Sequence, residues 1–187
     1  VGEVPATIAM LLVMLLPKPD GGRRPIGLFP GLLRPFTKWA RHTAGNRWAA
    51  ATERQYVYGT AGASCEVCVW QQAAAAEYAD GQGLTAISVL FDLSKAYEHL
   101  QFKRVVQRAR ALHFPARLLR LLVALYTMER VIMVDGVAAT PFSPQRGVPA
   151  GCSFADLMMR VFVIITMDEM LGAWPAVRAA TVVDDLQ

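Results

Sequence analysis

Two adjacent carboxylates near the end of the chain, Asp184 and Asp185, are the side chains best suited to chemistry. They follow an apolar run, residues 176–183, whose composition predicts a buried strand. Burying two neighbouring carboxylates is costly, because each loses its hydration and the two charges repel each other. A divalent cation offsets both costs, since hard ions such as Mg²⁺ bind carboxylate oxygens. Because an isolated Asp-Asp pair is more often a solvated turn, the metal interpretation depends on a second acidic segment.

That second segment is residues 84–92, an apolar run that also predicts a strand and that ends in Asp92. Two strands that each deliver acid at one end can bring three carboxylates together around a pair of ions. Two-metal sites hold their ions about 3.5–4 Å apart and stabilise the attacking and leaving oxygens of a phosphoryl transfer. The sequence therefore predicts phosphoryl-transfer chemistry at Asp92, Asp184 and Asp185.

Four segments of the chain, in this order, resemble the motifs of a known family. They are LLPKPDGGRRPIGLFPGLLRPFTK at residues 15–38, FDLSKAYE at 91–98, RGVPAGCSFADLMM at 146–159 and VVDDL at 182–186. The last three resemble motifs A, B and C of the reverse transcriptases, and the first resembles their fingers segment, as in non-LTR retrotransposons and group II introns. The resemblance covers most of the chain. It implies an α+β fold: a polymerase palm, which is an antiparallel sheet backed by helices, with a fingers subdomain and no thumb.

The resemblance also implies a role for each acidic residue. Asp92, Asp184 and Asp185 would be the catalytic residues and would bind two Mg²⁺ (or Mn²⁺) ions, with the backbone carbonyl of Leu93 as a further ligand. Tyr97 stands where the family places an aromatic ring beneath the incoming sugar, and a ring there excludes a 2′-hydroxyl and favours a DNA product. A core aromatic near the end of a strand is the alternative interpretation of Tyr97.

Further contacts with the substrates follow from the same resemblance. The nucleotide would be bound by Lys18, Arg24, Tyr97, Ala150 and Gly151, and template or primer by Arg146 and Gly147. Guanidinium and ammonium groups suit a triphosphate, because the first binds phosphate oxygens in pairs and the second is a compact charge. The chain departs from the family at Ala150, where glutamine is usual, and at residues 153–156, where Pro-Leu-Ser-Pro is usual. An amide that contacts nucleotide or template is therefore missing.

Composition and charge are compatible with a compact protein that contacts phosphates. The 187 residues are 54% hydrophobic and 18% charged, which excludes a disordered chain. The net charge is only +4, but residues 18–54 contain eight basic side chains and only two acidic ones, Asp20 and Glu53. The excess of basic residues at 18–54 suits a segment that binds phosphate groups, although an ordinary solvated surface can have the same composition.

Local patterns predict the order of the elements. Strands are predicted at 6–16, 24–29, 84–92 and 176–183, and helices at 32–51, 65–80, 102–112, 116–128 and 151–171. Ser64 is a suitable N-cap, and Asp135-Gly136 between two apolar runs predicts a hairpin. We expect residues 1–83 to form the fingers-like segment and residues 84–187 the palm with motifs A, B and C, within one reverse-transcriptase domain.

Membrane and redox signals in the sequence point to an intracellular setting. The apolar run 8–16 is far shorter than the ~20 residues that cross a bilayer, so no membrane association is predicted. Three cysteines do not make a disulfide framework, which favours a nuclear or cytoplasmic location. Cys65 and Cys68 have zinc-type spacing, but core packing is favoured because a second pair is lacking.

The resulting prediction is an RNA-directed DNA polymerase (reverse transcriptase) domain of a retroelement, which adds dNTPs to a primer 3′-hydroxyl by two-metal nucleotidyl transfer. Its partners would be an RNA template, a DNA primer and dNTPs, with no obligate protein partner evident. The chain ends two residues after Asp185, so we expect a fragment without the thumb that is weak or inactive alone. The alternatives are a catalytically defective, reverse-transcriptase-like remnant that binds nucleic acid, which Ala150 favours, and an RNA-dependent RNA polymerase, which Tyr97 disfavours.

Overall fold

The structure, a computed structural model, describes residue 5 and residues 9–59 and 63–182. Its strands are β1 Met10–Pro17, β2 Arg23–Leu28, β3 Val57–Tyr58, β4 Glu129–Val134, β5 Val137–Ala138 and β6 Thr181–Val182. Its α-helices are α1 Leu33–Ala40, α2 Asn46–Ala51, α3 Cys65–Gly81, α4 Phe102–Ala111, α5 Ala116–Tyr126 and α6 Ala155–Ala173. A π-helical segment, Arg41–Gly45, joins α1 to α2, and a 3₁₀ turn covers Ala96–His99. The fold is α+β, as the sequence predicts.

The larger sheet has four strands in the order β2-β1-β4-β5, and these strands are mixed in direction. β1 runs antiparallel to β2 and parallel to β4. The prediction of an antiparallel sheet is therefore wrong for this sheet. The chain leaves the β1–β2 hairpin and passes through α1 to α5 before it reaches β4. A crossover of this length allows β4 to enter the sheet parallel to β1.

β1 forms because its apolar run is paired on both edges and buried on one face. Leu11 is fully buried in the core, and Val13 packs against the same core. The register pairs Leu16 with Arg24 and Val13 with Gly27, and successive positions alternate between the two faces of the sheet. Gly27 therefore lies on the core face of β2, and Arg24 lies on the outer face.

Two hairpins are present: one joins the first two predicted strands, and the other is the hairpin predicted at Asp135-Gly136. In the turn between β1 and β2, the Lys18 amide donates to the Gly22 carbonyl at 2.8 Å, and Gly21 has a φ of 81°. The turn between β4 and β5 consists of Asp135 and Gly136, with φ values of 49° and 83°. Two consecutive positive φ values are typical of the type I′ turn, which an Asp-Gly pair favours.

The core lies between the helices and one face of the larger sheet. Fully buried side chains recur at helical spacing along α5 and α6, among them Leu122, Leu125, Leu157, Val161 and Ile164. Helices α3, α4 and α5 lie where the sequence predicts them. Among the residues that the structure describes, no helix is long and apolar enough to cross a membrane.

Two helix ends and one helix interior show how local chemistry shapes the helices. The Ser64 hydroxyl accepts a hydrogen bond from the Val67 amide at 3.3 Å, which confirms the predicted N-cap of α3. α6 begins at Ala155 rather than at 151, because Gly151 has a φ of 89° that an α-helix does not contain. The predicted helix at 32–51 is continuous, but its middle is π-helical. At Gly45 in this segment, a Cβ would lie 3.1 Å from a side-chain carbon of α6.

The predicted strand at residues 84–92 is not formed. Residues 84–93, here called the exposed segment, have neither helix nor strand, and Leu90 and Phe91 are 94% and 83% exposed. Within the described part of the chain, no main-chain hydrogen bond joins residues 85–93 to another segment. An apolar, β-prone run becomes a strand only when a neighbouring strand shares its hydrogen bonds. Both edges of β1 are already taken by β2 and β4.

The predicted strand at 176–183 is reduced to β6 within the described ranges. β6 pairs in parallel with β3, and the Thr181 amide donates to the Tyr56 carbonyl at 2.6 Å. Residues 183–187, which include the predicted Asp pair, lie outside the described residues. The chain that leads toward this pair is therefore anchored on β3 rather than on the exposed segment.

Candidate nucleotide and nucleic-acid site

Three segments that carry predicted site residues meet through main-chain contacts between distant parts of the chain. We call this place the glycine junction, and it consists of Gly27, residues 97–100 and residues 147–151. The Gly27 amide donates a hydrogen bond to the carbonyl of Ala150 at 2.9 Å. A Cβ on Gly27 would lie 2.9 Å from that carbonyl oxygen, and a Cβ on Gly151 would lie 3.0 Å from the Gly27 carbonyl oxygen. The two backbones approach this closely because both positions lack a side chain.

The second half of the glycine junction joins the turn before α6 to the 3₁₀ turn. The Gly147 amide donates to the Leu100 carbonyl, and the Val148 amide donates to the Tyr97 carbonyl, each at 2.9 Å. Gly147 has a φ of 91°, and a Cβ there would lie 3.0 Å from the Glu98 carbonyl oxygen. The backbone of Tyr97 is therefore fixed against the turn that carries the predicted nucleotide contacts.

The remaining predicted contacts at the glycine junction differ in exposure. The Tyr97 side chain is partly buried and packs against the core. Arg146 is exposed at the bend before Gly147. The junction therefore contains one aromatic ring that packs against the core, and Arg146, directly before the junction in the chain, presents its guanidinium group to solvent.

Arg130 supports the glycine junction, although the sequence does not single it out. Its guanidinium donates to the Gly147 carbonyl at 2.9 Å and to the Tyr126 carbonyl at 3.2 Å. Burial lowers the pKa of this guanidinium, and its Nε has no hydrogen-bond partner among the described residues. Desolvating this cation costs free energy, and the two hydrogen bonds that it donates to carbonyl oxygens offset part of that cost. The available sequence signal is a basic residue near the start of an apolar strand.

Lys18 and Arg24 are exposed on the β1–β2 hairpin. Lys18 begins the turn, and Arg24 faces outward, on the opposite face of the sheet from Gly27. Neither makes a salt bridge with another residue of the described ranges. Their neighbour Arg23 instead pairs with Asp135 at 3.3 Å, which links the turns of the two hairpins. Two cations of the hairpin thus remain for an anionic ligand.

The predicted metal ligands fall in two parts of the chain. Asp92 and Leu93 lie in the exposed segment, and Asp184 and Asp185 lie outside the described residues. Within the ranges 9–59 and 63–182, no group of three His, Cys, Asp or Glu side chains is arranged to hold a metal ion. The predicted donor set itself suits Mg²⁺ or Mn²⁺, because three carboxylates and a backbone carbonyl are all oxygen ligands.

A polar clamp, formed by Arg54, Tyr56 and Asp168, fixes the strand that leads toward Asp184. The Arg54 guanidinium donates to Asp168 through Nε at 3.1 Å and Nη2 at 3.0 Å, and the Tyr56 hydroxyl donates to Asp168 at 2.6 Å. The hydrogen bond from Arg54 lowers the pKa of the Asp168 carboxyl, and burial raises the pKa of the Tyr56 hydroxyl. Because β3 directly follows Tyr56 and pairs with β6, the clamp ties α6 to the β3–β6 pair.

The polar clamp is not predictable from the sequence, because its members are far apart along the chain. Asp168 is separated from Tyr56 by 112 positions and from Arg54 by 114 positions. Comparison with known proteins finds no match among protein-family models or curated protein sequences. The assignment of a function therefore depends on the motif residues and on the geometry of the glycine junction.

Proposed function

We propose that this chain is a reverse-transcriptase domain, with palm and fingers parts, that adds deoxynucleotides to a primer 3′-hydroxyl opposite an RNA template. The observation that carries the proposal is the glycine junction. Residues from three of the four motif-like segments, at 15–38, 91–98 and 146–159, take part in it, with hydrogen bonds of 2.9 Å from Gly27 to Ala150 and from Val148 to Tyr97. Convergence of segments so distant in sequence supports a common site.

In this proposal the glycine junction forms one wall of the nucleotide site. Tyr97 lies beneath the sugar and excludes a 2′-hydroxyl by its bulk, which selects dNTPs. Ala150 and Gly151 bring the backbone of the turn against the nucleotide, because the glycine leaves room for close approach. Lys18, in the turn of the hairpin, is an exposed cation whose charge suits the triphosphate, whereas Arg24 faces away from Gly27 and would have to reach the nucleotide around the edge of the sheet.

The acids complete the proposed site at Asp92, Asp184 and Asp185. When bound there, two Mg²⁺ or Mn²⁺ ions supply activation of the primer hydroxyl and stabilisation of charge on the leaving pyrophosphate. The contribution of the chain is to orient its carboxylates. The polar clamp holds the strand from which the Asp pair continues, and the exposed segment carries Asp92. The proposal requires Asp92 to lie beside the chain that continues from β6.

A nucleic-acid-binding remnant without turnover is the second candidate function. Two observations favour it. Ala150 replaces the amide that would contact nucleotide or template, and Asp92 lies in a segment without strand pairing among the described residues. Either departure lowers the rate of nucleotide addition without removing the basic residues that bind nucleic acid.

Primer extension separates the two candidates. The test uses a protein in which the chain is extended beyond Gln187 by a duplex-binding segment. It is supplied with an RNA template, a DNA primer, dNTPs and Mg²⁺. We expect the wild type to add deoxynucleotides and Asp184→Asn to abolish addition while primer–template binding persists, because the substitution removes a metal ligand and little shape. Asp80→Asn is the matched control, since Asp80 is exposed on α3, lies outside the glycine junction and is not a predicted ligand, and it should leave addition unchanged.

Two further variants test individual roles at the glycine junction. Tyr97→Ala should admit ribonucleotides, because it opens space at the 2′ position. Ala150→Gln should raise the rate of addition, because it restores the missing amide. A wild type that binds primer–template but adds nothing with either Mg²⁺ or Mn²⁺ would establish the remnant instead.

A further inference from the structure

A polar cleft of about 380 Å³ opens beside the π-helical segment. It is lined by Lys38, Arg41, His42, Asn46, Ser153 and Asp156, and none of these belongs to the glycine junction. π-helical turns are frequent at functional sites, because they shift side chains out of the regular helical pattern. Here Arg41 and Asn46, five positions apart, share a side-chain hydrogen bond across this segment.

The cleft presents hydrogen-bond donors that the protein itself does not use. The Arg41 guanidinium is held by the Asp156 carboxylate and by the side-chain oxygen of Asn46. Asn46 therefore keeps its amide N–H groups for a ligand. Lys38 and His42 make no salt bridge with another described residue. Donor groups thus converge on the cleft, while the one carboxylate that lines it is already paired.

The charge of the cleft suits a phosphodiester group. Arg41 and Asp156 balance each other, which leaves the positive charge of Lys38. No acidic residue occurs in the sequence between Asp20 and Glu53. A phosphodiester carries one negative charge, and a stretch of chain without acids attracts a polyanion along its length.

Exposed aromatic rings lie on the same helix as the cleft. Phe36 and Trp39 are 47% and 62% exposed, and their ring centroids are 6.0 Å apart. Trp39 lies three positions before His42, which lines the cleft, so the ring of Trp39 and the cleft occupy neighbouring parts of the helix surface. Solvent-exposed aromatic side chains beside a basic groove are typical of surfaces that bind single-stranded nucleic acid: the bases stack on the rings, and the groove binds the sugar-phosphate backbone.

We propose that the surface of α1 and the π-helical segment binds single-stranded nucleic acid, with a backbone phosphate in the cleft and bases stacked on Trp39 and Phe36. A duplex is disfavoured as the ligand, because its base faces are already stacked on one another. The inference rests on the proposed function for the identity of the strand as the template. The binding itself is tested without primer, dNTPs or divalent ions.

The first test measures the charge contact by fluorescence anisotropy. The 187-residue chain is titrated into a labelled oligouridylate of about 12 nucleotides, in EDTA, at several salt concentrations. Lys38→Gln should weaken binding several-fold at low salt and reduce the slope of log K against log salt by about 0.7, because one phosphate contact is lost. Lys103→Gln, at an exposed lysine of α4, is the matched control and should change neither quantity.

The second test measures stacking. Trp39→Ala should raise the Kd for the oligouridylate about 5- to 150-fold and leave the salt slope unchanged. Trp70→Ala, at a tryptophan of α3 that is 69% exposed, is the matched control and should have no effect. On an abasic oligonucleotide of the same length, Trp39→Ala should have no effect, whereas Lys38→Gln should still weaken binding.

The outcomes keep this inference separate from the proposed function. If Lys38→Gln and Trp39→Ala behave like their controls, the helix surface does not bind single strands, even if primer extension succeeds. Binding of a labelled duplex of the same length is measured as well. If Lys38→Gln and Trp39→Ala weakened duplex binding as much as single-strand binding, the inference would also be overturned. If both variants behave as expected while primer extension fails, the inference stands and the polymerase assignment falls.

Discussion

β1 and the exposed segment, residues 84–93, have the same character in sequence and opposite environments in the structure. Both are apolar runs that predict a strand. β1 is paired on both edges, and Leu11 is 0% exposed. The exposed segment has no strand partner among the described residues, and Leu90 is 94% exposed. Hydrophobic character alone therefore does not distinguish a central strand from an unpaired run.

The difference lies in the partners that the rest of the chain supplies. β2 follows β1 after a tight turn, and β4 joins its other edge through the helical crossover. The run 176–183, whose following acids the sequence predicts to meet Asp92, pairs in its described part with β3. A run can be competent to form a strand, but the free energy of strand formation is realised only when its hydrogen bonds and its apolar face are both satisfied.

The largest expected effect compares one leucine from each run. Leu11→Ala should lower the free energy of unfolding by about 2–5 kcal/mol, because it leaves a cavity in the core. Leu90→Ala should change it by less than about 0.5 kcal/mol, because the side chain is already in water. Urea denaturation followed by circular dichroism measures both values on the same chain.

Hydrogen exchange provides an independent control on this comparison. Amides of Leu122 and Ile164 in the core helices should be strongly protected, and amides of residues 85–91 should exchange almost as fast as in an unfolded chain. Equal destabilisation by the two leucine substitutions, with protection of 85–91, would show that the run is a buried strand after all.

The next largest effect on stability concerns the glycine junction, where Gly147 packs against Glu98, a residue that follows the exposed segment by a few positions. Gly147→Ala should destabilise the chain by about 2 kcal/mol, because φ is positive and the new Cβ would meet the Glu98 carbonyl. Gly31→Ala is the control, since nothing lies within 4 Å of its Cβ position, and it should be close to neutral. If thermal unfolding gave the same Tm for both variants, the glycine junction would not be tightly packed.

The smallest effect compares an acid of the polar clamp with the acid of the exposed segment. Asp168→Asn should lower stability at pH 7 by about 0.5–1 kcal/mol, a value kept small because the pair is partly solvated. Asp92→Asn should leave stability unchanged, since this carboxylate has no salt-bridge partner among the described residues. Chemical denaturation at a series of pH values measures both.

The pH dependence of the Asp168 effect has a definite sign. The folded-state pKa of Asp168 is lowered, so its contribution is fully present above the unfolded value of about 3.9 and is lost as the pH falls through the folded value. The difference between wild type and Asp168→Asn should therefore be constant from pH 7 to about pH 5 and should shrink below about pH 4. A difference that grew on acidification would contradict the polar clamp.

Elements that depend on neighbours in sequence were predictable. The Ser64 cap and the Asp135-Gly136 turn act within a few residues, and the apolar spacing of α4 and α5 identifies their buried faces. For the same reason, the importance of Gly147 and Gly151 was visible in the sequence. The tertiary contacts of these two glycines were not predictable, because a glycine indicates that another group can approach closely but not which segment of the chain does so.

By itself, the sequence determined the α+β class, the hairpin turns, the helices and the chemical nature of the candidate site residues. The tertiary structure alone decided that β4 pairs in parallel with β1, that β6 pairs with β3, that Arg130 binds the Gly147 carbonyl, and that Tyr56 and Asp168 meet in the polar clamp. The physical reason is range. Propensity, capping and periodicity act over a few residues, whereas strand pairing and buried polar contacts select among distant partners that compete for the same edges and donors.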